Sequence, residues 1–160
     1  MLFRSWADFT DRRDNSARGR FHADLLVACD GIHSTVRAKF FPQEGAAKWN
    51  GIIMWRGISE QTPFLSGRSM IMAGHFRRRV VVYPISEPEG ASGKAQINWV
   101  AEYGTADAQP MPRQDWVHTA DAQEAVRPFT RFNLDFLAVP ALIRCASTIY
   151  KYPMVDRDPL

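Results

Sequence analysis

Asp30, Gly31, Ser34 and Arg37 stand at offsets that suit an anionic or hydroxyl-rich ligand. A carboxylate accepts hydrogen bonds from ribose hydroxyls or from backbone amides. Glycine lets the chain turn sharply and lets a ligand approach the backbone with no Cβ in the way. A serine at a helix start caps it, and free amides there favour an anion. Arg37, one turn further on, can pair with a carboxylate or phosphate. His33 lies among them, within reach of a phosphate. The same residues have a plainer use as a strand-turn-helix corner in which Asp30 and Ser34 satisfy only local backbone groups. Spacing alone leaves both readings open.

The surrounding pattern positions these residues. An apolar run from Leu25 to Ala28 ends at Asp30-Gly31 and predicts a buried parallel strand over 21–29, with Cys29 as a small buried hydrophobe at its end. In an open α/β sheet, ligands sit beyond the carboxyl ends of the strands. A weaker strand is expected over 3–10, a polar turn over 11–19, and a short helix over 34–40 ended by Pro42. Strand-like runs follow at 51–60, 69–74, 79–86 and 95–102, the last two separated by a Gly/Pro/Ser/Glu-rich loop at 87–94. Four antiparallel strands in a row make a platform. Past a loop at 104–113, a helix is expected over 119–129, with Asp121 and Glu124 in its first turn where the helix dipole favours acids. A second helix is expected near 140–146 and a returning strand at 148–155.

Composition excludes more than it identifies. The 46% hydrophobic content is ordinary for a packed core. No apolar run reaches the ~18 residues of a membrane helix, and the first residues lack the apolar region of a secretory signal. Two distant cysteines, Cys29 and Cys145, suit a reducing cytoplasm better than a disulfide scaffold. The four histidines lack metal-ligand spacing, so no metal site is expected. Net charge is +3, and Arg77-Arg78-Arg79 between two strand-like runs reads as a solvated turn rather than a nucleic-acid site. Neither a Gly-x-Ser-x-Gly elbow nor a Gly-Lys-Ser/Thr loop occurs, which leaves hydrolase and P-loop readings without support.

Asp30-Gly-Ile-His-Ser-Thr-Val-Arg37 resembles the Asp-Gly fingerprint of class A flavin monooxygenases. Met54-Trp-Arg-Gly57, Val82-Tyr-Pro-Ile85, Ile97-Asn-Trp-Val100 and Tyr152-Pro-Met-Val-Asp-Arg-Asp-Pro159 follow in the order seen in the salicylate-hydroxylase-like branch, the phenazine-carboxylate hydroxylases above all. The likeness covers about residues 20–160. The family's opening Gly-x-Gly-x-x-Gly turn is absent, since no two glycines here are one residue apart, and so is its later Gly-Asp motif. The sequence therefore reads as an internal fragment of such an enzyme.

The resemblance implies a mixed α/β and α+β fold: part of an FAD-binding, Rossmann-like domain at 1–50, and an antiparallel substrate sheet with flanking helices at 51–147. Residues 148–160 would return to the cofactor domain. It implies FAD held by Asp30, Gly31, His33, Ser34 and Arg37, with NAD(P)H as reductant. Hydroxylation of a small aromatic substrate would proceed through a flavin hydroperoxide, a reaction in which no side chain of the chain is a catalytic nucleophile. Arg56, Met72, Tyr83 and Trp99 are the candidates for the substrate wall, Arg56 for a carboxylate and the aromatics for a planar ring. Strand alternation puts Trp55 and Arg56 on opposite faces, and strand aromatics often serve only as core. The other reading is a non-catalytic remnant or interaction module that has lost its cofactor site.

Overall fold

In the computed structural model, the described residues are 5–105, 115 and 117–159. They form two compact units, Met1–Ala46 and Ala47–Leu160. The expected loop at 104–113 lies largely outside the described residues.

The first unit is an antiparallel hairpin followed by a short helix. Strand β1 (Ser5–Thr10) pairs with β2 (Ala17–Ala23), with Asp8 opposite Arg20. That pair bonds twice, Nε to Oδ1 at 2.7 Å and Nη2 to Oδ2 at 2.9 Å, and the guanidinium lies 4.0 Å from the Trp6 ring centre. In the turn, the Asp11 carboxylate takes hydrogen bonds from the Arg13 side chain and amide and from Arg18, which lower its pKa to about 2. Helix α1 (Thr35–Phe40) starts at Ser34 as expected and ends before Pro42.

One expectation for this unit fails. Leu25–Ala28 lies outside any strand, and Leu25 and Val27 are 75% and 70% exposed. Cys29 is likewise exposed rather than buried. The physical reason is pairing: a parallel strand needs a neighbour on its ladder, and every strand pair among the described residues is antiparallel. The Rossmann-like sheet that the apolar run was expected to join is therefore not seen among the described residues.

The second unit is built as the alternation predicts, with one more strand in its sheet. Strands β3 (Lys48–Gln61), β4 (Ile71–His75), β5 (Arg78–Pro84), β6 (Ala95–Gly104) and β9 (Ala146–Asp156) form an antiparallel sheet in the order β4-β5-β6-β3-β9. The two hairpins make β4-β5-β6, and β3 then lies against the far side of β6. The residues expected as a returning strand form β9, an edge of this sheet. Its Asp156 pairs with Lys48 at the start of β3. Gly51, at φ +80°, sits where the β3–β9 register jumps between Trp49 and Ile53, a bulge that favours glycine.

Helices α2 (Ala122–Val126) and α3 (Val139–Arg144), with the short hairpin β7 (Asn133–Leu134) and β8 (Leu137–Ala138), complete the unit. The expected helix over 119–129 is shorter. Asp121 is its N-cap, accepting from the Gln123 amide at 2.7 Å, and the stretch containing Pro128 tightens into a 3₁₀ turn, Arg127–Phe129.

Alternation gives the sheet two distinct faces. Trp99, Ile97, Val80, Val82, Trp55 and Ile149 are buried on one face, in the same core as Val126, Phe129, Leu142 and Ile143 from the helical segments. Trp99 is the largest fully buried side chain among the described residues. Its ring lies over Gly57, where an added Cβ would come within 2.5 Å of it. Its indole N–H donates to Ser59 Oγ at 3.0 Å, and that hydroxyl donates in turn to the Leu142 carbonyl at 2.7 Å, tying sheet to helix. Gly57→Ala should lower stability by about 1–3 kcal/mol through overpacking. Urea denaturation checks this, and an unchanged midpoint would mean the ring is not seated there.

Candidate functional site

The Asp-Gly corner folds as a capped helix start. Gly31 adopts φ +77°, a left-handed conformation that favours glycine, and its carbonyl accepts from the Ser34 amide at 3.0 Å. Asp30 Oδ1 accepts from Ser34 Oγ at 2.5 Å, and Oδ2 accepts from the amides of Thr35 at 2.8 Å and Val36 at 3.2 Å. Ser34 Oγ accepts from the Arg37 amide at 2.8 Å. The hydrogen bond from Ser34, followed by that from the Val36 amide, holds the Asp30 pKa below the usual aspartate value.

This arrangement decides which ligand atoms the corner can take. The first three amides of α1 are all occupied by Asp30 and Ser34, so the expected free amides for an anion are not there. Arg37, expected to meet a phosphate, is paired with Glu44, its Nε lying 2.7 and 3.0 Å from the two carboxylate oxygens. A carboxylate has about four acceptor positions, of which three at Asp30 are filled. The corner thus fits one further hydroxyl donor, as on a ribose or ribityl chain, and does not fit a phosphate at the helix start. His33 is exposed beside Gly31.

Three of the four substrate candidates share one face of the sheet, opposite the helices. Arg56 lies across from Val100 on β6 and Tyr150 on β9, Val81 lies across from Met72, and Tyr83 lies across from Asn98. Met72 is 59% exposed, Tyr83 is half-buried, and Arg56 is exposed. Trp99 is corrected: it is 1% exposed and belongs to the core, because its register partners Gly57 and Val82 face the helices.

The sequence reading passed over Asn98, although alternation with the buried Trp99 places it on this open face. Its Oδ1 accepts from Arg56 Nε at 3.3 Å, while its Nδ2 is buried and without a partner. Both terminal nitrogens of Arg56 have no partner among the described residues. Glu102 on the same face is held by Arg79, with Nε 3.0 Å from Oε2. Beside Arg56, a depression of about 500 Å³ is lined by Ile58, Thr148, Tyr150 and Tyr152. An unpaired guanidinium fork and two tyrosines line a surface suited to a flat molecule bearing a carboxylate, with the buried Asn98 bracing the fork from beneath.

No family model matches the chain. Its sequence is 38% identical over 152 residues to the phenazine 1,6-dicarboxylic acid hydroxylase PhzS of Lysobacter antibioticus, an alignment that takes in 94% of this chain. This likeness bears out the resemblance to the class A flavin monooxygenases of the salicylate-hydroxylase type. The chain spans 37% of the length of that relative. Its fold is shared with solved structures of low identity. A salicylate hydroxylase in a substrate complex superimposes with a TM-score of 0.61 at 21% identity, over 89% of this chain and 37% of that one. The enzyme CtdE, solved with FAD and a substrate, gives 0.58 at 17% identity, over 89% of this chain and 36% of its own. Among the described residues no helix is long and apolar enough to cross a membrane, and no cluster of metal-ligating side chains occurs.

The lowered pKa of Asp30 has a directional consequence for this corner. A carboxylate whose folded pKa is depressed contributes stability above its unfolded pKa and loses it as pH falls through the folded value. The Thr35 and Val36 amide resonances should therefore hold their positions down to the usual aspartate range and move only on the acid side of it. Asp30→Asn should abolish that titration. NMR across an acid series reads both, and amides that titrate at the ordinary aspartate value would contradict the capping geometry.

Proposed function

We propose that this chain supplies the substrate sheet and the Asp-Gly corner of an FAD- and NAD(P)H-dependent monooxygenase that hydroxylates an aromatic carboxylate. The observation that carries this reading is the open face of the sheet, where Arg56 presents its free terminal nitrogens beside Asn98, Tyr150 and Tyr152. The 38% identity to a hydroxylase of an aromatic dicarboxylic acid supports the same substrate class. We assign residues 1–50 to the cofactor part and 51–147 to the substrate part, with 148–160 leading back towards the cofactor part. The free cysteines Cys29 and Cys145 accord with a reducing, cytoplasmic setting.

Bound FAD, reduced by NAD(P)H, supplies the oxygen chemistry. The chain's own residues bind and orient. Asp30 would accept a hydroxyl of the flavin's chain, and Gly31 would let that chain approach the backbone. His33, exposed before the helix start, would meet a phosphate oxygen from outside the corner. Ser34 keeps Asp30 and α1 in register, and Arg37 braces the corner through Glu44. On the sheet, Arg56 takes the substrate carboxylate, the buried Asn98 positions Arg56 through its Oδ1, and Tyr83 and Met72 flank the ring. Trp99 acts indirectly by fixing the sheet beneath them.

Phenazine-1,6-dicarboxylate should bind the chain saturably, and Arg56→Gln should weaken binding about 10- to 100-fold, the loss of a hydrogen bond to a charged group at roughly 1.5–3 kcal/mol. A titration followed by the ligand's absorbance decides it, and an equal affinity in the variant would end this reading. FAD retention is expected to fail in the isolated chain. A missing glycine turn and Gly-Asp segment remove about three charged hydrogen bonds, or roughly 4.5–9 kcal/mol and three to six powers of ten in affinity. Incubation with FAD followed by desalting should leave a colourless protein with no hydroxylase activity. A stoichiometric yellow complex would overturn that expectation.

A further inference from the structure

On the helix side of the sheet, away from the open face, a second cavity of about 750 Å³ lies between the strands and the 3₁₀ turn that follows α2. Its volume is in the range of small-molecule sites, which combine apolar walls with a few convergent polar groups. The walls are aromatic and aliphatic, from Ile53, Trp55, Tyr103 and Phe132. Around them stand Arg78, Arg127, Arg131 and Lys151. Lys151 is paired with Glu124 and Arg78 donates to the Pro128 carbonyl at 3.4 Å, but Arg127 and Arg131 have no partner among the described residues. Four cations therefore meet one carboxylate.

A second observation points the same way. Trp55, in the wall, is only 5% exposed, and its indole N–H is buried with no acceptor. Buried donors without a partner are uncommon in folded proteins. Two unpaired guanidinium groups and an unsatisfied indole donor beside aromatic walls make a cavity short of one thing, an acceptor-rich anion with a flat apolar body.

We propose that this cavity is a second binding site, for a small planar aromatic carboxylate. The carboxylate meets Arg127 and Arg131, the ring packs against Phe132 and Tyr103, and a ligand oxygen accepts from the Trp55 indole. The open face is not involved, so this site stands whether or not Arg56 binds a substrate.

The test follows the Trp55 indole N–H resonance, assigned from triple-resonance spectra of the full chain, during titration with naphthalene-2-carboxylate. A saturable shift is expected, weakened at least tenfold in Arg127→Gln/Arg131→Gln and preserved in Arg56→Gln. Both arginines are exposed, so the double variant should fold, as the dispersion of the other indole signals will report. Naphthalene-2-carboxamide and inorganic phosphate serve as probes for ring alone and anion alone, and neither should match the carboxylate. An unmoved Trp55 signal, an unweakened double variant, or equal binding of either probe would overturn the proposal.

Discussion

The contact on which the second unit depends is that of the Trp99 ring with Gly57 and Ser59. A tryptophan of this size fits against the neighbouring strand only because residue 57 has no side chain. Its indole nitrogen, which would otherwise be a buried orphan, is satisfied by Ser59, and the same hydroxyl reaches the Leu142 carbonyl. A single hydroxyl therefore bonds the sheet to α3, in a place where leaving either group unmade costs about 1–3 kcal/mol. Once Trp99 is fixed on the helix side, alternation fixes Asn98 and, through the register with β3 and β5, Arg56 and Tyr83 on the other. The open face is thus specified by what the core requires.

How far this was legible in the sequence depended on whether local pattern or a distant partner decided each element. The strands of the sheet follow alternation and turn chemistry, both local, and they appear within a few residues of expectation. Ser34 as a cap and Gly31 as a left-handed turn are likewise fixed by residue type. The apolar run 25–28 is the reverse case. Hydrophobicity gave it a strand's character, but a strand exists only on a ladder, and the described residues offer it none. Cys29 followed the same error.

The functional residues divide along the same line. Arg56, Met72 and Tyr83 share a face because their spacing and register require it. Trp99, an aromatic suited by type to a planar ring, falls on the opposite side because alternation turns it to the helices and its neighbour Asn98 away from them. Arg37 and the first amides of α1 read as anion binders from spacing, yet Glu44 and Asp30 already hold them. That competition is invisible in a list of residues, because Glu44 becomes a partner only after the helix turns the chain back. The consequence is chemical: at the helix start the corner offers an acceptor rather than free donors.

The account's central claim is that the open face of the sheet, and not Trp99, meets the aromatic acid that is the substrate. Side-chain NMR of the Arg56 Nε–H, the Asn98 amide and the Tyr83 ring during titration with an aromatic dicarboxylate tests it most directly. The account predicts that all three signals move together along one saturation curve. Saturable binding that leaves all three in place would contradict it.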